Sequence, residues 1–547
     1  MEPEPAPKLG LALSGGGHRA AFFHIGVLGA LAELGLLRHV RVLSTVSGGS
    51  CVGALYYLHV KRLLERTDDA DIGDLHYAEI VKKVAREYQA AAATNLLARA
   101  YLRPWLNFKM ALPWYSRTER AGELLEQHFY RQVWDGDLVA GRIPMRELLI
   151  RPGGKPIDPD SDENARRNGP VPILLLESTT LNTGHNWRFE AKYMGEPDRQ
   201  SDVTIPGRQQ DPTDVDKNET LLRAEWSTVP ESLRDFPLGR AVAASAAFPS
   251  GFAPVQIRNL YPQLVVELTD GGVHDNQGVE GLVDRECTHI VLSDGSGQMQ
   301  DEDKPGTWVP KVLSRVVSIY GDAEREQRLL RAFADERWAF FHLQSGLPNK
   351  VRVPGETTRE AEARVTTRDF GVDPEVQERL ARVRTNLDAF SELEAWALAK
   401  DGHAIAAYMT PLRSAVAALG TPLARPVAWP WDSVKLSPVM PRLLDVLEHG
   451  KREIYGLVVP ILLIVAGLIA AEGYFLRSGS WPFWIALGVI AVFALYLAPP
   501  LPVVRTVSAL LYETVVPVLL ALPLFVGAVV LWVVGWGWVR YGRVRAG

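Results

Sequence analysis

Over the first sixty residues of this 547-residue chain, apolar runs alternate with glycine-rich breaks. Residues 9–14 read as a buried strand, because a short apolar run ending in glycine suits a strand covered on both faces. Gly15, Gly16 and Gly17 follow, and then a helix over about 18–34 with Phe22, Phe23, Ile25, Val27, Leu28 and Leu31. A second strand is expected at about 40–46. Ser47, Gly48 and Gly49 interrupt it, and an apolar helix continues through Val52, Leu55, Tyr56 and Leu58. Strand, glycine turn and helix, repeated, is the rhythm of a parallel sheet covered by helices. Further strands are predicted at 172–178, 264–268 and 289–293. Helices dominate the prediction over about 308–342 and 374–407. The stretch 63–169 reads as an insertion, and the polar runs 158–167 and 196–218 read as loops.

The pattern changes near residue 451. Three stretches, 454–471, 478–504 and 514–539, contain no Asp, Glu, Lys or Arg. A helix of about 20 apolar residues crosses a bilayer core of about 30 Å, so about three transmembrane helices are expected here. Tyr455, Tyr474, Trp481, Trp484, Tyr496, Trp536 and Trp538 fall near the span ends, as interfacial aromatics do. The alternative, buried core helices, leaves too much apolar surface to cover in under a hundred residues.

Orientation signals conflict. Lys451 and Arg452 precede the first span, and Arg540, Arg543 and Arg545 follow the last, so both ends favour the cytoplasm. Three full crossings cannot satisfy both, and the segment 502–512 around Arg505 is a candidate for lying along the surface. The opening residues MEPEPAPKLG lack the apolar run of a signal peptide. The expectation is an integral membrane protein, of the bacterial inner-membrane type, with its body in the cytoplasm.

Composition sharpens this division. The net charge of −5 is a sum of unlike parts. Residues 451–547 carry seven Lys/Arg against three Asp/Glu, and the remainder carries 52 against 61. An acidic body excludes a general nucleic-acid binder, because phosphate affinity needs basic surface. Cys51 and Cys287 are the two cysteines, too few for a disulfide framework and without the neighbours of a zinc site.

Three short motifs carry candidate chemistry. Ser47, between a strand and a helix and followed by Gly48 and Gly49, can occupy a tight turn that projects its hydroxyl from the sheet edge. The usual nucleophile turn has glycine two residues before the serine; here that position is Thr45. An ordinary Ser helix cap is the competing reading. Gly15-Gly16-Gly17-His18-Arg19 exposes backbone N–H groups suited to an oxyanion, with Arg19 able to brace the loop. It lacks the Lys-Ser/Thr ending and the spacing of nucleotide-binding glycine loops. Asp270-Gly271-Gly272 puts a carboxylate at the end of a strand, where it can serve Ser47 as base or simply make a local turn. His274, His18 and His24 keep a histidine-based triad open, although a bland loop role is favoured for His274. Cys51 reads as a small core residue.

Together, in this chain order, the motifs resemble the patatin-like phospholipase family. Its pattern is a G-G-G-x-R/K loop, a G-x-S-x-G turn and a D-G-A/G motif. The segment Ala243-Ala244-Ser245-Ala246-Ala247-Phe248-Pro249 and the stretch 282–293 also look like the family. The resemblance covers about 9–293 and extends weakly through Arg384-Thr385-Asn386-Leu387-Asp388 to Gly402. It implies an α/β fold with a mostly parallel central sheet covered by helices on both faces, followed here by the transmembrane region. The expected organisation is a leader over 1–8, a catalytic domain over 9–300, a helical part over 301–450 and the membrane region over 451–547.

The resemblance further implies a Ser–Asp dyad hydrolase acting on acyl esters of lipids, of phospholipase A or lysophospholipase type. Ser47 is then the nucleophile and Asp270 the base. Gly15, Gly16, Gly17 and Gly48 form the oxyanion hole, supported by Arg19, Gly49, Gly271 and Gly272. Membrane lipids are the expected partners, and no metal or cofactor is required. The aromatic segment 101–117, with Trp105, Phe108, Trp114 and Tyr115, is balanced between a lipid-facing lid and packing on the sheet. Two other classes compete: a catalytically silent lipid-binding scaffold, and a transporter with a regulatory domain. The intact Ser47, Asp270 and glycine loop weigh against the first, and the lack of a buried ionisable pair in the spans against the second.

Overall fold

The computed structural model describes residues 7–101, 115–197, 217–249, 251–299, 301–307, 309–347, 354, 370–436 and 441–450. The expected spans in 451–547, and Trp105, Phe108 and Trp114, lie outside them. No helix among the described residues is long and apolar enough to cross a membrane.

The chain begins with β1 (Leu9–Leu13), α1 (Gly17–Glu33), β2 (Val40–Val46), α2 (Gly48–Arg66) and α3 (Asp74–Ala92). After α4 (Arg117–Leu125) come β3 (Ile173–Thr180), β4 (Asn186–Phe189), β5 (Tyr193–Gly195) and β6 (Ala224–Glu225). Next are α5 (Leu238–Ser245), β7 (Val255–Tyr261), β8 (Leu264–Asp270), α6 (Val279–Asp284) and β9 (His289–Asp294). The described part closes with α7 (Val309–Ala334), β10 (Trp338–His342), α8 (Pro374–Ala381), α9 (Glu392–Met409) and α10 (Pro441–Gly450).

Among the described residues the strands form one ten-stranded sheet. Its centre, β10-β9-β1-β2-β3, is parallel throughout. Beyond β3 the pairing turns antiparallel, through β4, β5 and β6 on one path and β8 and β7 on the other. Side-chain alternation explains the two covered faces. Leu11, Leu13, Leu43, Leu174, Leu176 and Phe341 join the larger core, which includes α1, α2, α3 and α9. The intervening Ala12, Val42, Leu175, Ile290, Leu292 and Phe340 join a smaller core with Val279, Leu282 and Leu329 of α6 and α7. Burial on both sides is why these strands read as unbroken apolar runs.

One expectation for 301–450 changes. Residues 338–342, expected to be helical, form the edge strand β10, whose Ala339, Phe340 and Phe341 alternate between the two cores. The helical region expected over 374–407 is formed by two helices, α8 and α9. Ser391 starts the second with a reciprocal cap: its Oγ accepts from Glu394 N at 3.2 Å, and Glu394 Oε2 accepts from Ser391 N at 2.8 Å. The second of these helices, α9, packs along α1, so this region is built into the main fold.

Candidate active site

The parallel strands β1 and β2 end side by side, with Leu13 opposite Thr45. Their C-terminal ends therefore bring the glycine loop and the Ser47 turn to one edge of the sheet, the edge that commonly holds sites in open α/β folds. Ser47 has φ 50° and ψ −113°, a backbone state that costs a non-glycine residue about 1–3 kcal/mol. It is half-buried at the N-terminus of the 19-residue helix α2. Its carbonyl accepts from Cys51 N at 3.1 Å, so the helix starts on the serine itself.

A directional chain of hydroxyls holds the strained turn. Thr45 Oγ1 donates to Leu175 O at 2.9 Å, which spends its only proton. Ser50 Oγ, 3.0 Å away, must then donate to Thr45, and Ser245 Oγ, at 2.8 Å, must donate to Ser50. The remaining lone pairs of Ser245 Oγ accept from Ser47 N at 3.0 Å. Thr45, the departure from the usual glycine, is thus the far anchor of the turn. Its methyl fits because position 53 is glycine: a Cβ there would meet Thr45 Cγ2.

The glycine loop lies over this turn. Gly16 has φ 131°, a conformation that glycine adopts at little steric cost. Gly17 and Gly48 pack backbone to backbone, and the Thr385 carbonyl occupies the place where a Gly17 side chain would go. Gly15 donates its N–H to Asn276 O at 2.9 Å. That donor is spent, so Gly15 shapes the loop and its N–H is not available to an oxyanion. Arg19 Nη1 donates to Ala381 O and Val383 O at 3.1 and 3.0 Å, bracing the start of α1 against the segment after α8.

Asp270 arrives from an antiparallel strand. Ser178 of β3 is its register partner, and Thr179 Oγ1 donates to its carbonyl at 2.9 Å. Asp270 is buried, with 4% of its surface exposed. Burial pushes its carboxyl up to about 6, while hydrogen bonds from Gly272 N and the Ser47 side chain pull the other way. The Gly272 N–H reaches Asp270 Oδ1 at 2.8 Å. Ser245 ties this turn to the first, because its carbonyl accepts from Gly271 N at 3.2 Å.

The histidines are engaged elsewhere. His274 meets Gly184 O at 3.0 Å and Glu280 Oε2 at 2.7 Å, and the Glu280 carboxylate outweighs burial to raise its pKa. His18 bonds Tyr88 Oη at 2.9 Å within an aromatic cluster, where burial holds it down to about 3. His24 bonds Ser293 Oγ and Ser14 O. None of these bonds reaches Ser47 or Asp270. Cys51 is buried, and burial pushes its thiol up to about 12. Tyr115 Oη donates to Glu123 Oε2 at 2.8 Å.

Asn276 is a site residue that the motifs alone do not reveal. Its side-chain oxygen fills the space beside Gly15 and Gly272, and a Cβ on Gly15 would come within 3.3 Å of Ser47 Cβ. The signal is an amide six residues after Asp270, just past the short helix Gly272–Asp275.

The family model described as Patatin-like phospholipase matches residues 11–283. A solved structure of human GIVD cytosolic phospholipase A2 is similar at 14% identity and a TM-score of 0.41, over 76% of this chain and 60% of that one. The chain thus spans about three-fifths of that protein's length. The structure of VipD from Legionella pneumophila is similar at 13% identity and a TM-score of 0.29, over 95% of this chain and 86% of that one. No curated protein matches.

Proposed function

Residues 11–283 belong to the patatin-like phospholipase family, and on that premise we propose that the protein is a serine lipid acyl hydrolase cleaving fatty acyl esters of phospholipids or lysophospholipids. The observation that carries this reading is the meeting of a strained serine, a desolvated carboxyl and a glycine loop at one sheet edge. Ser47 Oγ attacks the ester carbonyl while Asp270 takes its proton. The N–H groups of Gly16, Gly17 and Gly48 stabilise the oxyanion. The leaving alcohol receives the proton from Asp270, and an acyl ester remains on Ser47. Water, deprotonated by Asp270, then releases the fatty acid. A carboxyl near 6 is mostly ionised at neutral pH, yet still basic enough to hold the transferred proton.

Anchoring of the catalytic body to a membrane through 451–547, on its cytoplasmic side, completes the proposal, since the substrate resides in the bilayer. Hydrolysis of a short-chain ester tests the chemistry. Ser47→Ala and Asp270→Asn should each lower kcat/KM by roughly 10⁴-fold or more, with unchanged circular dichroism. Full residual activity in either folded variant would exclude the dyad.

A further inference from the structure

Asn276 stands between the Ser47 and Asp270 turns, and its backbone and side chain do different things. Its carbonyl accepts from Gly15 N at 2.9 Å, which ties down the glycine loop whatever side chain stands there. Its side-chain oxygen fills a slot that two motif glycines leave open. A Cβ on Gly15 would collide with Asn276 Oδ1 and would lie 3.3 Å from Ser47 Cβ. A Cβ on Gly272 would lie 2.5 Å from the same Oδ1 and 3.0 Å from Asp270 Oδ1. The amide is therefore flanked by Ser47 on one side and by the Asp270 carboxyl on the other.

The backbone donors of the Asp270 turn are spent on the protein. Gly271 N donates to Ser245 O at 3.2 Å, Gly272 N to Asp270 Oδ1 at 2.8 Å and His274 N to Thr179 Oγ1 at 3.2 Å. Asp275 N donates to Gly271 O at 2.9 Å. The Asn276 amide nitrogen carries two more N–H groups. Among the described residues neither has a protein acceptor, and the residue is half-buried. Once substrate displaces solvent from this edge, such a donor needs an acceptor on the substrate, because a desolvated donor left unpaired is costly.

The chemistry indicates which oxygen it meets. In the dyad mechanism the glycine N–H groups take the ester's carbonyl oxygen. The oxygen that stands beside Asp270 is the one that exchanges a proton with it: the leaving alcohol in the first step and water in the second. Negative charge builds on the leaving oxygen as its bond to carbon breaks, and a donor next to the base offsets that charge.

The geometry points to Asn276 as a further catalytic residue, whose side-chain amide donates a hydrogen bond to the leaving alcohol oxygen and then to the water that takes its place. The electrons of the breaking C–O bond stay on the alcohol oxygen, Asp270 passes the Ser47 proton to it, and Asn276 gives up no proton. This role rests on the serine-hydrolase reading of the same site.

Two esters of one acid test it. Propyl hexanoate releases a poor leaving group that needs assistance, whereas p-nitrophenyl hexanoate releases a phenolate that departs unaided. For both, kcat/KM reports the step that expels the alcohol. With Asn276→Ala in the full chain, kcat/KM for the propyl ester should fall roughly 10²-fold, the effect of removing one transition-state donor. For the p-nitrophenyl ester it should fall by no more than about threefold. Asn276→Leu, which keeps the volume between Gly15 and Gly272 without the donor, should show the same split. Both esters are measured on one preparation, so a misfolded fraction cancels from the ratio. Equal losses on the two esters would assign Asn276 to the shape of the site and overturn the proposal, and unchanged rates on both would overturn it as well. Failure of the underlying reading looks different: the wild-type protein would then form no acyl ester on Ser47 with p-nitrophenyl hexanoate, as read by intact mass.

Discussion

The turns that carry Ser47 and Asp270 meet at one point but are built by opposite physics. Ser47 leaves a buried parallel strand in a strained conformation, half-exposed, at the head of a long helix. Asp270 leaves an antiparallel strand, buried, with its carboxyl raised by desolvation. The first turn presents an oxygen and needs positional precision; the second conceals one and needs a tuned proton affinity. Ser245 serves both, holding Ser47 N through its hydroxyl and Gly271 N through its carbonyl.

Changes at the two turns should therefore separate. The largest loss is the roughly 10⁴-fold expected when either Ser47 or Asp270 is removed. Ser245→Ala breaks the link at its centre while sparing both of those residues. It should lower kcat by about one to two orders of magnitude with little change in KM, because positioning rather than binding is lost. It should also cost about 1–3 kcal/mol of stability in denaturant titrations, since a buried N–H loses its acceptor. An unchanged kcat would mean that the Ser47 turn is held without the hydroxyl chain.

The smallest effect is one of pH. The neutral form of Asp270, favoured by its raised pKa, cannot accept a proton, so activity should grow as pH rises through about 6 and then level off. Between pH 7 and pH 5, kcat/KM should fall by about tenfold, as the ionised fraction of a group with that pKa does. A rate independent of pH over this interval would remove Asp270 as the base.

Much of this arrangement is written locally. Gly15 to Gly17, Ser47 to Gly49 and Asp270 to Gly272 are each contiguous, and each follows an apolar run that marks its strand. Position at the strand ends then brings them together with no further information. Ser245 and Asn276 are harder to read because their contacts span about 200 residues or more: Ser245 reaches Ser47, and Asn276 reaches Gly15. The same holds for Thr385, whose carbonyl closes over Gly17.

Of the antiparallel strands, β8 is expected from the sequence, but β4, β5 and β6 escape for another reason. β4, β5 and β6 are two to four residues long, too short for periodicity to register. β10 is a five-residue aromatic run that reads equally well as the tail of α7, and only burial on both faces decides it. Thr45, which weakens the pattern as a motif, is explained by a hydroxyl chain and by the space at Gly53, neither visible from the motif itself.

The central claim is that Ser47 is a nucleophile made reactive where it stands. Intact-mass and peptide mapping after treatment with a fluorophosphonate test it most directly. A single adduct on Ser47 in the wild-type protein, absent from folded Ser47→Ala and strongly slowed in Asp270→Asn, is the predicted result. An adduct on another residue, or undiminished labelling of Ser47→Ala, would contradict the account.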